Sequence, residues 1–483
     1  MTTRTSATSG NWRADDADTW GLGIGNYPAA GEHVVIDTGH TVTLGESNNA
    51  GSIKLIGTLA GGGYTLTLND GGDSEIFDHD GTITGTLNIT ITGTTNRLLD
   101  LSGSSGNVNN LIINASSTTF TLSGTGTHTV AGNLTITAGT LDTDSSNNRA
   151  LTVTGNCDVT GTLTLNDSTV AVGALRTNSN AALTLGSSGT LELTTASNFG
   201  GTEGANYSWR NIDGTSDINL GGTLTVSAAG YFEPRTAPDY ASVLNNLVWN
   251  TNYYWVGKLT IGGTLVVNAS KLLQTYNGSK DCIVNGDVTL NGHLKALGNN
   301  VSAMEFKSLT IASGGQYSAT SGTTTITGKN SSNYMFDNNG TFTHNKGTVH
   351  WKADTSSGTW YAMDGHTSST GTEFYNISTE RVRSSGTEQY RFWVGGSGRH
   401  LTVLNDIDIG VNTSVFSSNG TSVLTHFGNC YLKGTSGGLN LDNVTTVNMG
   451  TVTIESGATL EFADGNSINV EGIRNIGGTV TAT

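Results

Sequence analysis

The sequence predicts an all-β protein with the fold of a parallel β-helix, or β-solenoid. Short runs that alternate Leu, Val or Ile with Thr recur along the whole chain, and Gly, Ser or Asn stand between them. The chain has 67 Gly but only 3 Pro among 483 residues. Its hydrophobic residues, 35% of the total, recur too regularly for a disordered chain. The alternative fold is a string of tandem β-sandwiches, which also place turns about every 8 to 12 residues.

A repeated corner motif favours the solenoid over the sandwiches. Two apolar residues flank a central Gly, with one residue between, in segments 83–87, 159–163, 261–265 and 290–294. Gly and Asn tolerate the positive φ that tight corners need. One such unit cannot bury its inner face alone, whereas stacked units bury a continuous column of Leu, Val and Ile. In addition, no linker or change of composition separates blocks of about 100 residues, as separate sandwich domains would require.

Changes along the repeat divide the chain into six predicted segments. They are an N-terminal leader or cap (1–45), regular solenoid coils (46–205), an aromatic-rich loop region (206–256), further coils (257–330), an aromatic and basic region (331–400) and C-terminal coils (401–483). Trp12, Trp20 and Tyr27 are candidates for capping the first coil. The last residues, GGTVTAT, are strand-like. An edge strand left open there favours contact with another chain, and we expect a homo-oligomer, most simply a homotrimer.

Charge and cysteine content exclude several classes of partner. The formal net charge of −16 opposes binding to phosphate backbones, so no nucleic-acid partner is expected. No run of about 18 apolar residues occurs, so no membrane insertion is expected. The first residues also lack the apolar core of a secretory signal. Cys157, Cys282 and Cys430 are too far apart for a zinc motif, and we expect them to be buried small apolar residues.

The N-terminal segment carries a resemblance to a known group of proteins. Residues 9–44 read SGNWRADDADTWGLGIGNYPAAGEHVVIDTGHTVTL. This resembles the leader of phage virion β-helix proteins (fibres, spikes and head-decoration proteins) and of related surface-displayed β-solenoid proteins. Their pattern is S-G-N-W, then W-G, then P-x-A-G-[DE]-x-V-x-I, then G-H-x-V-T-L. Residues 336–351 and 374–378 resemble a further unit of these proteins. The resemblance implies a virion-borne or extracellular rod and no particular reaction.

An acidic loop is the candidate metal site. Asp70, Asp73, Glu75, Asp78 and Asp80 lie within eleven residues. Carboxylate oxygens at this density suit Ca²⁺, although the spacing is neither that of an EF-hand nor that of the nonapeptide calcium repeat. A solvated loop is the alternative interpretation. No other cofactor is expected.

Two aromatic clusters are the candidate contact surfaces for glycans or for partner proteins. Aromatic rings stack on sugars and are enriched at interfaces, but they also fill cores. The contact residues predicted are Trp209, Trp249, Tyr254, Trp255, Trp351, Trp360 and Trp393, together with the basic residues Arg381, Arg383 and Arg391. Alanine at Trp249 and Trp255 is expected to abolish surface binding and to preserve the fold.

The resemblance, together with the lack of an apolar secretory core, implies a structural virion protein of a phage: a β-helix fibre, spike or capsid-decoration protein that contacts host surface polysaccharide and other virion proteins. A secreted bacterial adhesin or matrix protein is the alternative, and a polysaccharide depolymerase is the second alternative. No catalytic residue is assigned and an enzyme is disfavoured, because the chain has no Gly-x-Ser-x-Gly, His-Glu-x-x-His or P-loop motif.

Overall fold

A computed structural model gives the structure of the protein, whose described residues are entirely strands, turns and irregular segments. The described residues are 2–13, 18–70, 72–199, 205–212, 216–234, 244–276, 281–296, 303–353, 360–364, 372–381, 390–395, 400–410, 413–417, 422–426, 428–434, 437–441, 444–462 and 467–482. The chain divides into two compact units, unit 1 (Met1–Asn245) and unit 2 (Asn246–Thr483).

The strands are short, and most contain three to five residues. The first 25 are β1 Thr3–Thr5, β2 Gly10–Asn11, β3 His33–Ile36, β4 Thr41–Thr43, β5 Asn48–Ala50, β6 Ser52–Leu55, β7 Thr58–Ala60, β8 Thr65–Leu68, β9 Glu75–His79, β10 Thr82–Thr84, β11 Asn88–Ile91, β12 Arg97–Leu99, β13 Leu111–Leu122, β14 His128–Val130, β15 Leu134–Asp142, β16 Leu151–Val153, β17 Cys157–Val159, β18 Thr162–Thr164, β19 Thr169–Val172, β20 Leu175–Thr177, β21 Ala182–Leu185, β22 Thr190–Leu193, β23 Tyr207–Asn211, β24 Asp217–Val226 and β25 Tyr231–Glu233. The others are β26 Leu244–Trp249, β27 Asn252–Trp255, β28 Leu259–Ile261, β29 Leu265–Val267, β30 Leu272–Thr275, β31 Cys282–Leu290, β32 His293–Lys295, β33 Met304–Ile311, β34 Gln316–Ser318, β35 Thr323–Ile326, β36 Tyr334–Asn338, β37 Thr341–Thr343, β38 Thr348–Ala353, β39 Trp360–Asp364, β40 Thr372–Phe374, β41 Asn376–Arg381, β42 Tyr390–Gly395, β43 His400–Val403, β44 Ile407–Ile409, β45 Thr413–Ser417, β46 Ser422–His426, β47 Asn429–Leu432, β48 Gly438–Asn440, β49 Val444–Glu455, β50 Thr459–Phe462, β51 Ser467–Ile476 and β52 Thr479–Ala482.

In the regular turns that the structure describes, the chain passes over three faces in order, with one strand or one part of a longer strand on each. In unit 1, β18, β19 and β20 follow one another onto faces 1, 2 and 3, and β21, β22 and β23 repeat the order one turn later. Each strand pairs in parallel with the strand of the same face in the next turn: β18 with β21, β19 with β22 and β20 with β23. This confirms the parallel β-solenoid. The tandem-sandwich alternative is wrong, because every strand pairing whose register the structure describes is parallel.

Unit 2 follows the same rule, and its faces are numbered in the same order. β28, β29 and β30 lie on faces 1, 2 and 3 of unit 2. The long strand β31 passes from face 1, beside β28, to face 2, beside β29, and β32 continues face 3 beside β30. The segment 206–256, predicted as a loop region, contains the strands β23 to β27. The aromatic residues of these five strands therefore stand at positions where alternation decides whether a side chain faces the core or the solvent.

The core is a set of apolar columns inside the three faces. In unit 1, Leu134, Cys157 and Leu175 are neighbours in register on face 3, and all three are buried. All three cysteines are free and buried, as predicted. Burial raises the pKa of the Cys157 thiol to about 12, so it stays protonated and inert. Each fully buried Leu or Val side chain contributes about 1.5 to 3 kcal/mol.

Rings replace aliphatic residues in the column in part of unit 2. Tyr317 and Phe342 stack with ring centroids 5.8 Å apart, and Phe342 contacts Phe374 at 5.4 Å. Trp351 also contacts Phe374, edge-on, with ring centroids 5.4 Å apart. Aromatic pairs at such distances stabilise a core by about 0.5 to 1.5 kcal/mol beyond the area they bury. Trp351 and Phe374, two aromatic residues of the segment 331–400, are therefore part of the core.

Polar ladders run along the outside of the faces. The side-chain oxygen of Asn110 accepts a hydrogen bond from the backbone N–H of Asn133, and that of Asn133 accepts one from Asn156, both at a sequence separation of 23. Ion pairs join adjacent turns in the same way, such as Arg176 with Asp158. Such ladders satisfy backbone groups at the corners and help to fix the register of successive turns.

The N-terminal segment supplies the first strands of unit 1. β1 pairs with β3 on face 1, and β2 pairs with β4. Trp12 and Trp20 are buried with ring centroids 5.3 Å apart, and the indole N–H of Trp20 donates to the carbonyl of Trp12 at 2.8 Å. Tyr27 is 38% exposed. Trp12 and Trp20 thus pack as a core pair in the first turn, and Tyr27 lies at the surface.

Candidate functional site

Four of the predicted contact tryptophans lie in the core and not at the surface. Trp209, Trp249, Trp255 and Trp351 each have a relative exposure of 0%. Their strands place them on the inward side, where they fill the column that Leu and Val fill in other turns. The indole N–H of Trp249 donates to the carbonyl of Leu272 at 3.0 Å. These rings cannot stack on a sugar without unfolding of their turn.

Tyr254 alone, among the predicted contact aromatics whose side chains the structure describes, reaches the surface. It neighbours Trp255 in β27, so the alternation of the strand turns its ring outward. Its ring contacts those of Tyr253 and Tyr276, with centroids 5.3 and 5.9 Å away in edge-on arrangements. The result is a half-exposed group of three tyrosines on face 3 of unit 2.

The other predicted contact residues have only their backbone described or lie outside the described residues. Trp360 lies in β39, Arg381 in β41, and Arg391 and Trp393 in β42. The backbone of Trp360 is opposite that of Arg391 on the neighbouring turn. Arg383 lies outside the described residues. The role of these residues stays a prediction.

The predicted acidic loop does not form a single site. Asp70 accepts hydrogen bonds from the backbone N–H and the hydroxyl of Thr94 at 2.5 and 2.7 Å. Although burial acts in the opposite direction, these bonds lower the pKa of Asp70. Asp73 lies 3.3 Å from the ring Nε2 of His33. Asp70 and Asp73 therefore anchor neighbouring segments, and the structure does not bring them into one cluster with Asp78 and Asp80.

Asp78 and Asp80 instead meet Asp100, a residue that sequence reasoning missed. Carboxylate oxygens of these three residues lie within 4.8 Å of one another on the outer side of face 1 of unit 1. Asp100 belongs to the next turn, and its backbone N–H donates to the carbonyl of Phe77 at 2.8 Å. Gly124, one turn further on, makes room for the Asp100 carboxylate: a Cβ there would lie 2.5 Å from both of its oxygens.

Glu75 completes a group of four carboxyl groups. Its Oε1 accepts a hydrogen bond from the Ser123 hydroxyl at 2.7 Å. Burial raises the pKa of Glu75, the Ser123 hydrogen bond opposes this, and the charges of Asp78 and Asp100 raise it further. A carboxyl group whose pKa is raised in this way binds a proton more readily than a free one, and a cluster of carboxyl groups can also bind a cation.

Lys54 already supplies a positive charge to this group. Its ammonium donates to Asp78 and, at 3.2 Å, to Asp80. The hydrogen bond to Asp78, which is the largest cause, raises the pKa of Lys54. Calcium takes six to eight oxygen ligands, and Asp78, Asp80 and Asp100 offer suitable ones. The ion would have to displace Lys54 from two of them, and calcium here stays a prediction.

Two buried histidines lie on the core side of this group of four carboxyl groups. His79 is 1% exposed and His128 is 0% exposed. The Nδ1 of His128 accepts the backbone N–H of Leu101 at 3.1 Å and lies 3.7 Å from Asp100. Burial lowers the pKa of both rings, although the nearby Asp100 acts in the opposite direction. Both are therefore neutral in the folded protein at neutral pH.

These histidines predict that acidification destabilises the protein. Their folded pKa lies below the unfolded value, so their contribution is present above pH 6.5 and is lost as pH falls through the folded pKa. The free energy of unfolding should fall by up to about 1.4 kcal/mol per pH unit for each histidine between pH 6.5 and 5. Glu75 has the opposite sign and offsets part of the loss. Urea unfolding at a series of pH values measures the slope.

The control for this prediction is His128→Asn, whose side-chain oxygen can replace Nδ1 as the acceptor from Leu101. Overall stability will be lower in the variant because a buried ring is lost. Its slope with pH should be shallower by the share of one histidine. A wild-type protein whose stability does not change between pH 7 and 5 would contradict this interpretation of the two rings.

Comparison with protein-family models, with the curated proteins and with the solved structures finds no match to this chain. The fold itself defines the class: a parallel β-solenoid with three strands per turn. In the part of the chain that the structure describes, no helix has the length and apolar character to cross a bilayer.

Proposed function

We propose that the protein is a structural β-solenoid of a phage-like virion: a fibre, a spike or a capsid-decoration protein. In this proposal it assembles as a homo-oligomer, most simply a trimer, beside other virion proteins, and it contacts host surface polysaccharide. The observation that supports the proposal is the turn-to-turn pairing: β17 to β22 form two successive turns with all six strands paired in parallel. Such a structure extends by adding turns, and each turn stabilises its neighbours.

The surface chemistry also supports a structural role. Outward positions carry Thr, Asn and Ser with few charges, and 12% of all residues are charged. Thr is a good strand former, and the ladders of Asn side chains satisfy backbone hydrogen-bonding groups at the corners. Backbone groups bonded on both sides, and corners of only a few residues, leave little extended chain for a protease to bind. These are useful properties for a protein that is exposed outside a cell.

Co-purification with particles tests the proposal. Particles from the source culture are banded in a density gradient, and each fraction is analysed by quantitative mass spectrometry. The chain should peak with the particle band and hold a constant ratio to the most abundant particle protein across it. Recovery in the cell-envelope fraction or in the soluble fraction would contradict the virion role and would favour the secreted adhesin.

A further inference from the structure

The outer side of face 3 of unit 2 carries an ordered row of polar groups. β27, β30, β32 and β34 are consecutive paired strands, and their register places Tyr254, Gln274, Lys295 and Ser318 next to one another. Their strand neighbours Leu273, Leu294 and Tyr317 are buried, so the four side chains of the row face outward. Adjacent turns are about 4.8 Å apart, so the row spans roughly 15 Å.

The charge of this face is unlike that of the chain. The five consecutive strands β27, β30, β32, β34 and β37 contain no Asp or Glu, although the chain has 38 acidic residues and a net charge of −16. Lys295 forms no ion pair with any carboxylate among the described residues, whereas Lys54, Lys307 and Lys433 each do. The face therefore presents an uncompensated positive charge beside neutral hydrogen-bonding groups.

His293 lies beside this row and is already ordered. His293 precedes Lys295 by two residues in β32, and its Nε2 lies 2.8 Å from the hydroxyl of Ser318. Burial lowers the pKa of His293, and the positive charge of Lys295 lowers it further. The imidazole is thus a neutral hydrogen-bonding group held in place by its neighbour. Lys271, at the edge of the face, adds a second cation without a carboxylate partner among the described residues.

These groups suit a polysaccharide better than a protein. Protein interfaces have an apolar centre, and no large apolar side chain of these five strands is exposed. Sugars require a ring surface for stacking and closely spaced donors and acceptors for their hydroxyls. Tyr254 offers the ring, and Gln274, Ser318 and His293 offer the polar groups. An ammonium without a partner adds a preference for a ligand that carries a negative charge.

We infer that the row formed by Tyr254, Gln274, Lys295 and Ser318 binds an acidic polysaccharide. Tyr254 stacks on a sugar ring, and Lys295 pairs with a carboxylate or sulfate group of the ligand. This inference rests on the proposed contact with host polysaccharide and gives that contact a place and a ligand class. The ligand class differs from that of a neutral glycan, which would gain nothing from Lys295.

Affinity electrophoresis of the purified full-length chain tests the inference. Gels contain polygalacturonate, dextran sulfate or neutral dextran, and the shift in mobility gives a dissociation constant. The wild-type chain should bind at least one acidic polymer and should not bind dextran. Lys295→Gln and Tyr254→Ala should each weaken the binding about tenfold or more. Lys352→Gln, which removes the same charge from β38 on face 1, is the matched control and should bind as the wild type does.

Three results would overturn the inference. One is a wild-type chain that binds neither acidic polymer. Another is equal binding by Lys295→Gln and Lys352→Gln when circular dichroism shows both to be folded. The third is a change in sedimentation of Lys295→Gln with unchanged polymer binding, because the row would then be a contact between copies of the chain. Particle association is measured separately, so the two proposals can fail independently. A chain that bands with particles but binds no acidic polymer refutes only this inference. A chain that binds the polymer but does not band with particles refutes only the virion role.

Discussion

Replacement of Trp255 by alanine is expected to lower the free energy of unfolding by about 3 to 5 kcal/mol. The ring is fully buried in the column of unit 2, and its removal leaves a cavity that the neighbouring turns cannot close without losing their register. Trp255 lies opposite Thr275, which is also buried, so no large side chain stands ready to fill the space. Urea unfolding followed by tryptophan fluorescence or circular dichroism measures the loss.

The adjacent residue is the natural control, because alternation of the strand separates the two rings. Tyr254→Ala removes a half-exposed ring with edge-on contacts to Tyr253 and Tyr276, and it should cost about 1 kcal/mol or slightly more. Trp255→Ala should therefore mainly lower the free energy of unfolding, whereas Tyr254→Ala should mainly weaken ligand binding. A Trp255→Ala variant as stable as the wild type would contradict the inward placement of the ring.

Replacement of Gly106 by alanine is expected to destabilise unit 1 by more than about 3 kcal/mol. The residue has a φ of +76°, and a Cβ there would lie 1.9 Å from the carbonyl oxygen of Ile83. That oxygen belongs to the backbone of the preceding turn, where the N–H of Ile83 donates to the carbonyl of Ser105 at 2.9 Å. The clash can be relieved only by moving two hydrogen-bonded turns apart.

Gly39→Ala isolates the part of this effect that comes from backbone strain. Gly39 has a similar φ of +80°, and a Cβ there would meet nothing within 4 Å. Its replacement should lower the free energy of unfolding only by the cost of holding alanine in the left-handed conformation, about 1 to 2 kcal/mol. The difference between the urea-unfolding midpoints of the two variants gives the contribution of the close approach between turns. Equal losses for the two would show that the turns are not packed as tightly as described.

The fold could be predicted from the sequence because the solenoid repeats its physical requirements in every turn. Alternating Leu and Thr specify the strands, and a Gly in the motif of residues 159–163 specifies a corner, since a Cβ on Gly161 would lie 2.5 Å from the carbonyl oxygen of Gly139 in the preceding turn. The burial of the cysteines could be predicted because their wide spacing fits no zinc motif, which leaves the role of small apolar core residues. A signal repeated this often withstands errors at individual positions.

The sites could not be predicted as well, because they depend on single positions. In the run Asn252–Trp255 two tyrosines precede the tryptophan, so alternation alone does not show which ring points inward. Asp100 was missed because it is distant in sequence from Asp78, and only the register of the turns makes them neighbours. Its signal would have been a carboxylate one turn length, about 22 residues, after Asp78.

Lys54 shows how negative charge is compensated on face 1 of unit 1. Of the three clustered carboxylates, Lys54 compensates Asp78 and Asp80, and Asp100 accepts hydrogen bonds from the backbone N–H and the hydroxyl of Ser102 at 2.8 and 2.6 Å. Ion pairs near the surface contribute little individually, about 0 to 1 kcal/mol. Because both ion pairs of Lys54 join one turn to the next, they favour the correct register over shifted ones. The charges on this face thus help to select the correct register of the stacked turns.

The virion role is the central claim, and immunogold electron microscopy of lysates from the source culture tests it most directly. An antibody raised against this chain is applied to the lysate, and gold is counted on particles, on envelopes and on free filaments. We predict gold on phage-like particles, and its position would separate a tail fibre or spike from a head-decoration protein. Gold on cell envelopes or loose filaments, with bare particles in the same field, would contradict the claim and identify a surface adhesin or matrix protein instead.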